Sequence, residues 1–62
     1  MMKIYKVTIE KLSFDRGNLI GYNVLGYYTN KDKANTVAEE KYRNRNYVTE
    51  GKTHIEEIIV EE

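Results

Sequence analysis

Polar and apolar residues alternate from Lys3 to Lys11 (KIYKVTIEK), which sets Tyr5, Val7 and Ile9 on one side and Lys6, Thr8 and Glu10 on the other. Such alternation through β-branched residues is the pattern of a strand with one face buried. Asp15-Arg16-Gly17-Asn18 breaks the pattern with turn-forming residues, and Gly17 can take a positive φ without steric cost. A second strand is predicted from about Leu19 to Tyr28, antiparallel to the first as a hairpin. Strict alternation puts Ile20, Tyr22, Val24 and Tyr28 on one face and Asn23, Leu25 and Tyr27 on the other. Gly21 and Gly26 interrupt this strand, and glycine inside a strand often marks a bulge. A bulge at Gly26 would reverse the facing of Tyr27 and Tyr28.

The period then changes. Ala34, Val37, Ala38 and Tyr42 recur at helical spacing and form one apolar stripe, with Lys31, Lys33, Glu39, Glu40, Lys41 and Arg43 mostly off it. Thr29 stands three residues before Asp32, the spacing of a capping box, and Asn30 is a competing N-cap. The helix is expected to fade between Arg43 and Asn46, where cations suit the negative end of the helix dipole. Tyr47 to Lys52 reads as a loop or short extended piece. THIEEIIVEE, with Ile58-Ile59-Val60 at its apolar centre, reads as a third strand.

Strand, strand, helix, strand predicts an α+β fold, a two-layer ββαβ sandwich in one domain spanning residues 1–62. A helical crossover makes the third strand parallel to the second. The simplest arrangement puts the first strand between them, a three-stranded antiparallel sheet in the order 2-1-3 with one helix on one face. The other sheet face is left open.

Composition narrows the picture. A chain of 62 residues hides only about 60% of the surface its unfolded form exposes. Cysteine is absent, so neither disulfides nor thiolate metal sites support this thin core, and the lone His54 builds no zinc site. Ten cationic and ten acidic residues balance, which removes any long-range pull toward nucleic acid or an anionic membrane. The N-terminus alternates and has no apolar core of a secretory signal. No apolar run approaches a membrane span, and the cytoplasm is the expected location.

Candidate chemistry is sparse. His54 lies near Glu56 and Glu57, but a catalytic histidine needs an oriented partner and a nucleophile or substrate beside it. Ser13, the one serine, lacks the G-x-S-x-G context. The glycines form no phosphate-binding loop, and the acidic residues form no calcium loop, so no cofactor or metal is expected. Two features stand out. Six tyrosines accompany one phenylalanine and no tryptophan, and tyrosine is common at interfaces. KYRNRNY, from Lys41 to Tyr47, interleaves cations and aromatics as a single-strand-binding patch does, although Glu39 is placed to pair with Arg43.

GYYTNKDKANTVAEEKY resembles the G-x-[FY]-[ST]-x-x-x-x-A-x-x-x-A strand-to-helix segment of many small uncharacterised proteins of Gram-positive bacteria and their phages and prophages. Gly26, Tyr28, Thr29, Ala34 and Ala38 carry the likeness, which with the hairpin and last strand covers most of the chain. The segment is also faintly similar to the hybrid-binding domain of some ribonucleases H, but the tryptophan that opens the helix there is absent, with Lys31 or Asp32 in its region. The resemblance implies a small accessory protein and no particular activity. The Lys-, Asn-, Ile- and Tyr-rich composition fits an AT-rich genome.

The expected function is therefore that of a non-enzymatic protein-interaction module. It would use the open sheet face or an edge strand, through Tyr22, Tyr27 and Tyr28, toward an unidentified protein partner or a second copy. The alternative is a nucleic-acid-binding accessory protein using Lys41, Arg43, Arg45 and Tyr47.

Overall fold

The computed structural model describes residues 2–61. Strand β1 (Met2–Leu12) leads through a hairpin to β2 (Leu19–Tyr28), then to helix α1 (Lys31–Arg43) and strand β3 (Glu50–Val60). The sheet order is β2-β1-β3, and β1 is antiparallel to both neighbours. This is the α+β two-layer arrangement that the pattern predicts.

The hairpin closes where the turn residues stand. Ser13 N–H donates to the Asn18 carbonyl at 2.8 Å, Gly17 N–H to the Ser13 carbonyl at 2.9 Å, and Asn18 N–H to Ser13 Oγ at 3.0 Å. Gly17 has φ of +68°, the one positive φ among the described residues. Asn30 caps the helix in place of the Thr29 box. Its Oδ1 accepts from the N–H groups of Asp32 (2.8 Å) and Lys33 (3.2 Å), two donors that a first helical turn otherwise leaves unpaired.

Tyr5, Val7 and Ile9 face the helix side of β1, as the alternation requires. Val7, Ala34 and Ala38 form the buried cluster, with Tyr5, Leu25, Tyr28 and Val37 packed against it, and Ile9 is also fully buried. The alanines let α1 sit close to the sheet. Tyr42 does not join them and is 41% exposed. At 3.6 residues per turn it lies about 80° round the helix from Ala34, so the stripe has drifted off the sheet by that point.

Three irregularities interrupt the ladders. Lys11 pairs with Gly21 and Leu12 with Leu19, so Ile20 is an extra residue, and Leu19, not Ile20, shares the facing expected with Tyr22. Two more bear on the candidate site. Val7 pairs with Gly26 and Thr8 with Val24, so Leu25 is an extra residue in β2. The bulge therefore sits one residue before Gly26, and it resets the alternation. Tyr27 joins Tyr22 and Val24 on the open face, while Tyr28 pairs with Tyr5 on the helix side. The third irregularity is in β3, where Ile9 pairs with Thr53 and Lys11 with Glu50. β3 thus begins at Glu50, ahead of the predicted THIEEIIVEE, because the ladder continues past the bulge and Leu12 N–H donates to the Thr49 carbonyl at 2.8 Å.

Candidate functional site

The face of the sheet away from α1 is built from Ile4, Lys6, Thr8 and Glu10 of β1. Across β2 they meet Tyr27 (opposite Lys6), Val24 (opposite Thr8) and Tyr22 (opposite Glu10). Across β3 they meet Ile58, Glu56 and His54, opposite Ile4, Lys6 and Thr8. Tyr22 and Tyr27 are 56% and 59% exposed, and Val24 between them is also exposed. The β2 side of this face is therefore aromatic and apolar, whereas the β3 side is polar at His54 and Glu56 and apolar at Ile58.

Glu10 organises the polar side. One carboxylate oxygen, Oε1, accepts the Lys52 N–H at 3.0 Å, and the other, Oε2, lies 3.0 Å from His54 Nε2. The first contact ties off the β3 bulge, and a Cβ at Gly51 would stand only 2.5 Å from Oε1. The Lys52 N–H, and after it the His54 contact, hold the Glu10 carboxyl below its ordinary value of 4.5. The His54 ring meets the Tyr22 ring edge-on, with centroids 6.0 Å apart and planes at 74°. Lys6, Thr8, Tyr22, His54 and Glu56 line a shallow hollow of about 330 Å³.

The Glu10–His54 pair fixes an imidazole, with Thr8 opposite it and Tyr22 in the same hollow. Ser13 is committed to the hairpin turn, and among the described residues no three His, Asp or Glu side chains converge as a metal site. Sequence reasoning missed the pair because its members are 44 residues apart and meet only through the β1–β3 register. A larger hollow, of about 650 Å³, lies between α1 and β3. It is lined by Ala38, Tyr42 and Thr53 among polar and charged residues.

Tyr22 and Tyr27 stand on the open face; Tyr28 does not. The Leu25 bulge turns Tyr28 inward against the core, with its ring over Gly26 and the Lys33 ammonium 5.8 Å from the ring centroid. The expectation that all three tyrosines share one surface is corrected accordingly.

The basic segment is a folded corner. Lys41 Nζ pairs with Glu50 Oε2 at 3.3 Å, and Arg43 pairs with Glu39 at 3.7 Å. The Arg45 guanidinium lies between the rings of Tyr42 and Tyr47, 3.8 and 4.5 Å from their centroids, and donates to the Tyr42 carbonyl at 2.6 Å. Glu50 Oε1 also accepts the Asn46 N–H at 2.9 Å. That bond, and then Lys41, hold the Glu50 carboxyl low. Each cation of the segment thus has an internal partner, and a ring face of each tyrosine is occupied by Arg45.

Compared with protein families, with curated proteins and with solved structures, the chain matches none. No helix among the described residues is long and apolar enough to cross a membrane.

Proposed function

We propose that the protein is a non-enzymatic accessory module that binds another protein chain through its open sheet face. The observation that carries this reading is the row of Tyr22, Val24 and Tyr27, uncovered along one strand of a chain with very little core. Tyrosine offers a large contact area with a polar tip, and exposed aromatic rows of this kind are what interface cores are made from. Phosphate recognition has less support, because Lys41, Arg43 and Arg45 are already engaged within the fold. The likeness of the strand-to-helix segment to small proteins of Gram-positive bacteria and their phages fits an accessory role of this kind.

The test is capture from a Gram-positive lysate, with and without nuclease, by the wild-type chain and by a Tyr22→Ser/Tyr27→Ser variant, whose folding is checked by circular dichroism. Both side chains are exposed, so the variant is expected to fold. A protein held by the wild type and lost with the tyrosine pair supports the reading. Capture that is unchanged in the variant, or that vanishes with nuclease, refutes it.

A further inference from the structure

The two edges of the sheet are built differently. β3 carries Lys52, His54, Glu56 and Glu57 along its length, the kind of charge by which sheets keep a free edge from pairing with another chain. β2, the other edge, reads LIGYNVLGYY and has no charged residue and no proline. Leu19, Ile20, Tyr22, Val24 and Tyr27 are all exposed on it. Between its two register shifts, Gly21 to Val24 run in regular pairing with Lys11 to Thr8, a segment with neither charge nor proline along its outer side.

We infer that β2 pairs antiparallel with β2 of a second copy of this chain, about a two-fold axis normal to the sheet and passing within Tyr22–Val24. The result is a continuous six-stranded sheet in the order 3-1-2-2-1-3. The inference rests on the reading of the β2 tyrosine row as an interaction surface: edge pairing sets the rows of the two copies side by side on one continuous face.

Three observations favour a second copy. An isologous contact sets each residue against itself or a near neighbour, so a strand that meets its own copy must be free of like charges. β2 meets this condition, whereas a β3–β3 contact would bring Glu56 and Glu57 close to their own copies. Second, a two-fold normal to the sheet opposes only positions of the same facing. Tyr22 then meets Tyr22 or Val24 of the partner subunit, an aromatic or aromatic–β-branched cross-strand pair. Third, scaling full areas of roughly 150–250 Å² per large side chain by the observed exposures puts on the order of 500 Å² of side-chain surface on β2. Edge pairing covers the outer backbone and the flanks of these side chains, a part of that area. This suits a weak and concentration-dependent contact, below the roughly 600 Å² per partner at the low end of standard interfaces.

The absence of cysteine makes a clean experiment possible. Tyr22→Cys, Asn23→Cys and Val24→Cys each place one thiol on the edge, and Glu56→Cys places one on the guarded edge. Antiparallel neighbours at the axis come within the Cα separation that a disulfide spans. The wild-type chain is expected to sediment as a monomer–dimer equilibrium, with dimer dominant at hundreds of micromolar. Mild oxidation should link the β2 variant whose thiol stands on the axis, in preference to the other two, and leave Glu56→Cys unlinked. Asn23→Lys and Asn23→Glu should each be monomeric alone and form dimer when mixed, a recovery that also shows both variants to be folded.

A monomer at every concentration overturns the inference. So does a dimer that links through Glu56→Cys and not through β2, or one indifferent to charge at Asn23. A chain that stays monomeric yet captures a protein through Tyr22 and Tyr27 overturns the second copy as occupant while leaving the interaction surface standing. A monomer that captures nothing overturns both.

Discussion

Gly26 and Gly21 lie five residues apart on the same strand, yet replacing each with alanine should move stability in opposite directions. A Cβ built on Gly26 would stand 2.7 Å from Tyr28 Oη and 3.0 Å from two carbons of its ring, well inside ordinary contact. That ring cannot simply swing away. It packs against the Val7–Ala34–Ala38 cluster, lies opposite Tyr5, and has Lys33 above it. Forcing an extra carbon into such a contact costs about 1–3 kcal/mol. Removing the backbone freedom of a glycine returns roughly 0.4–1 kcal/mol where the backbone geometry suits alanine, as the negative φ does here. The net expectation for Gly26→Ala is a loss of about 0.5–2 kcal/mol. For a domain of this size, with roughly 4–8 °C per kcal/mol, the midpoint falls by about 2–16 °C.

Gly21 has no atom within 4 Å of the same construction, so Gly21→Ala should be neutral or stabilising by up to about 1 kcal/mol. Thermal and urea melts followed by circular dichroism, at dilution so that association does not enter, compare the two directly. Tyr28→Phe in the Gly26→Ala background removes the closest atom and should recover part of the loss, which a double-mutant cycle would read as coupling between the two sites. A Gly26→Ala protein as stable as Gly21→Ala, or a cycle with no coupling, would show that the ring is free to move and that Tyr28 is not held as described.

Three further outcomes are expected. Asn30→Ala should destabilise by about 1 kcal/mol through loss of the cap, whereas Thr29→Ala should be near neutral; equal effects in thermal melts would return the cap to Thr29. Because the Glu10 carboxyl is held below its ordinary 4.5 in the fold, its contribution is complete above 4.5 and is lost as pH falls through the folded-state value. Glu10→Gln should therefore flatten the acid limb of a midpoint-against-pH curve, and an unchanged limb would refute the assignment. Ile9→Ala removes the largest fully buried side chain and should cost about 2–5 kcal/mol, enough to leave the chain unfolded by near-neutral circular dichroism at room temperature.

The layout of the fold was legible because β1 is a central strand with a plain alternation, and because the alanines mark the face of α1. What alternation could not deliver was the phase of β2 beyond its bulge. The residue that breaks the ladder is Leu25, which has no composition signal of its own; only its neighbour Gly26 hinted that a break was near. Since one extra residue exchanges the faces of everything beyond it, Tyr27 and Tyr28 traded places. The Glu10–His54 contact was illegible for another reason. It depends on which residues of two strands stand side by side, and the β3 bulge at Gly51–Lys52 sets that register. In Lys41 to Tyr47 the i,i+4 pairing of Arg43 was foreseen, but the stacking of Arg45 between Tyr42 and Tyr47 needs the chain reversal after the helix.

Burial in this protein is concentrated in very few places: Val7 and Ile9 on one strand and two alanines on the helix. Alanine brings α1 near the sheet but removes little apolar surface from water. The larger apolar side chains of β2 remain outside. If β2 pairs with β2 of a second copy, folding and association share one equilibrium, and stability must depend on concentration. Each tenfold rise in concentration adds about 1.4 kcal/mol per dimer, or about 0.7 kcal/mol per chain. At roughly 4–8 °C per kcal/mol the midpoint should climb by about 3–6 °C per decade once dimer predominates. Asn23→Lys, which sets two lysines at or beside the axis, should abolish the climb while leaving the dilute-limit midpoint nearly where it was. A wild-type midpoint that does not move over two decades would mean that β2 folds uncovered, and that the buried strand and two alanines suffice to hold the chain together.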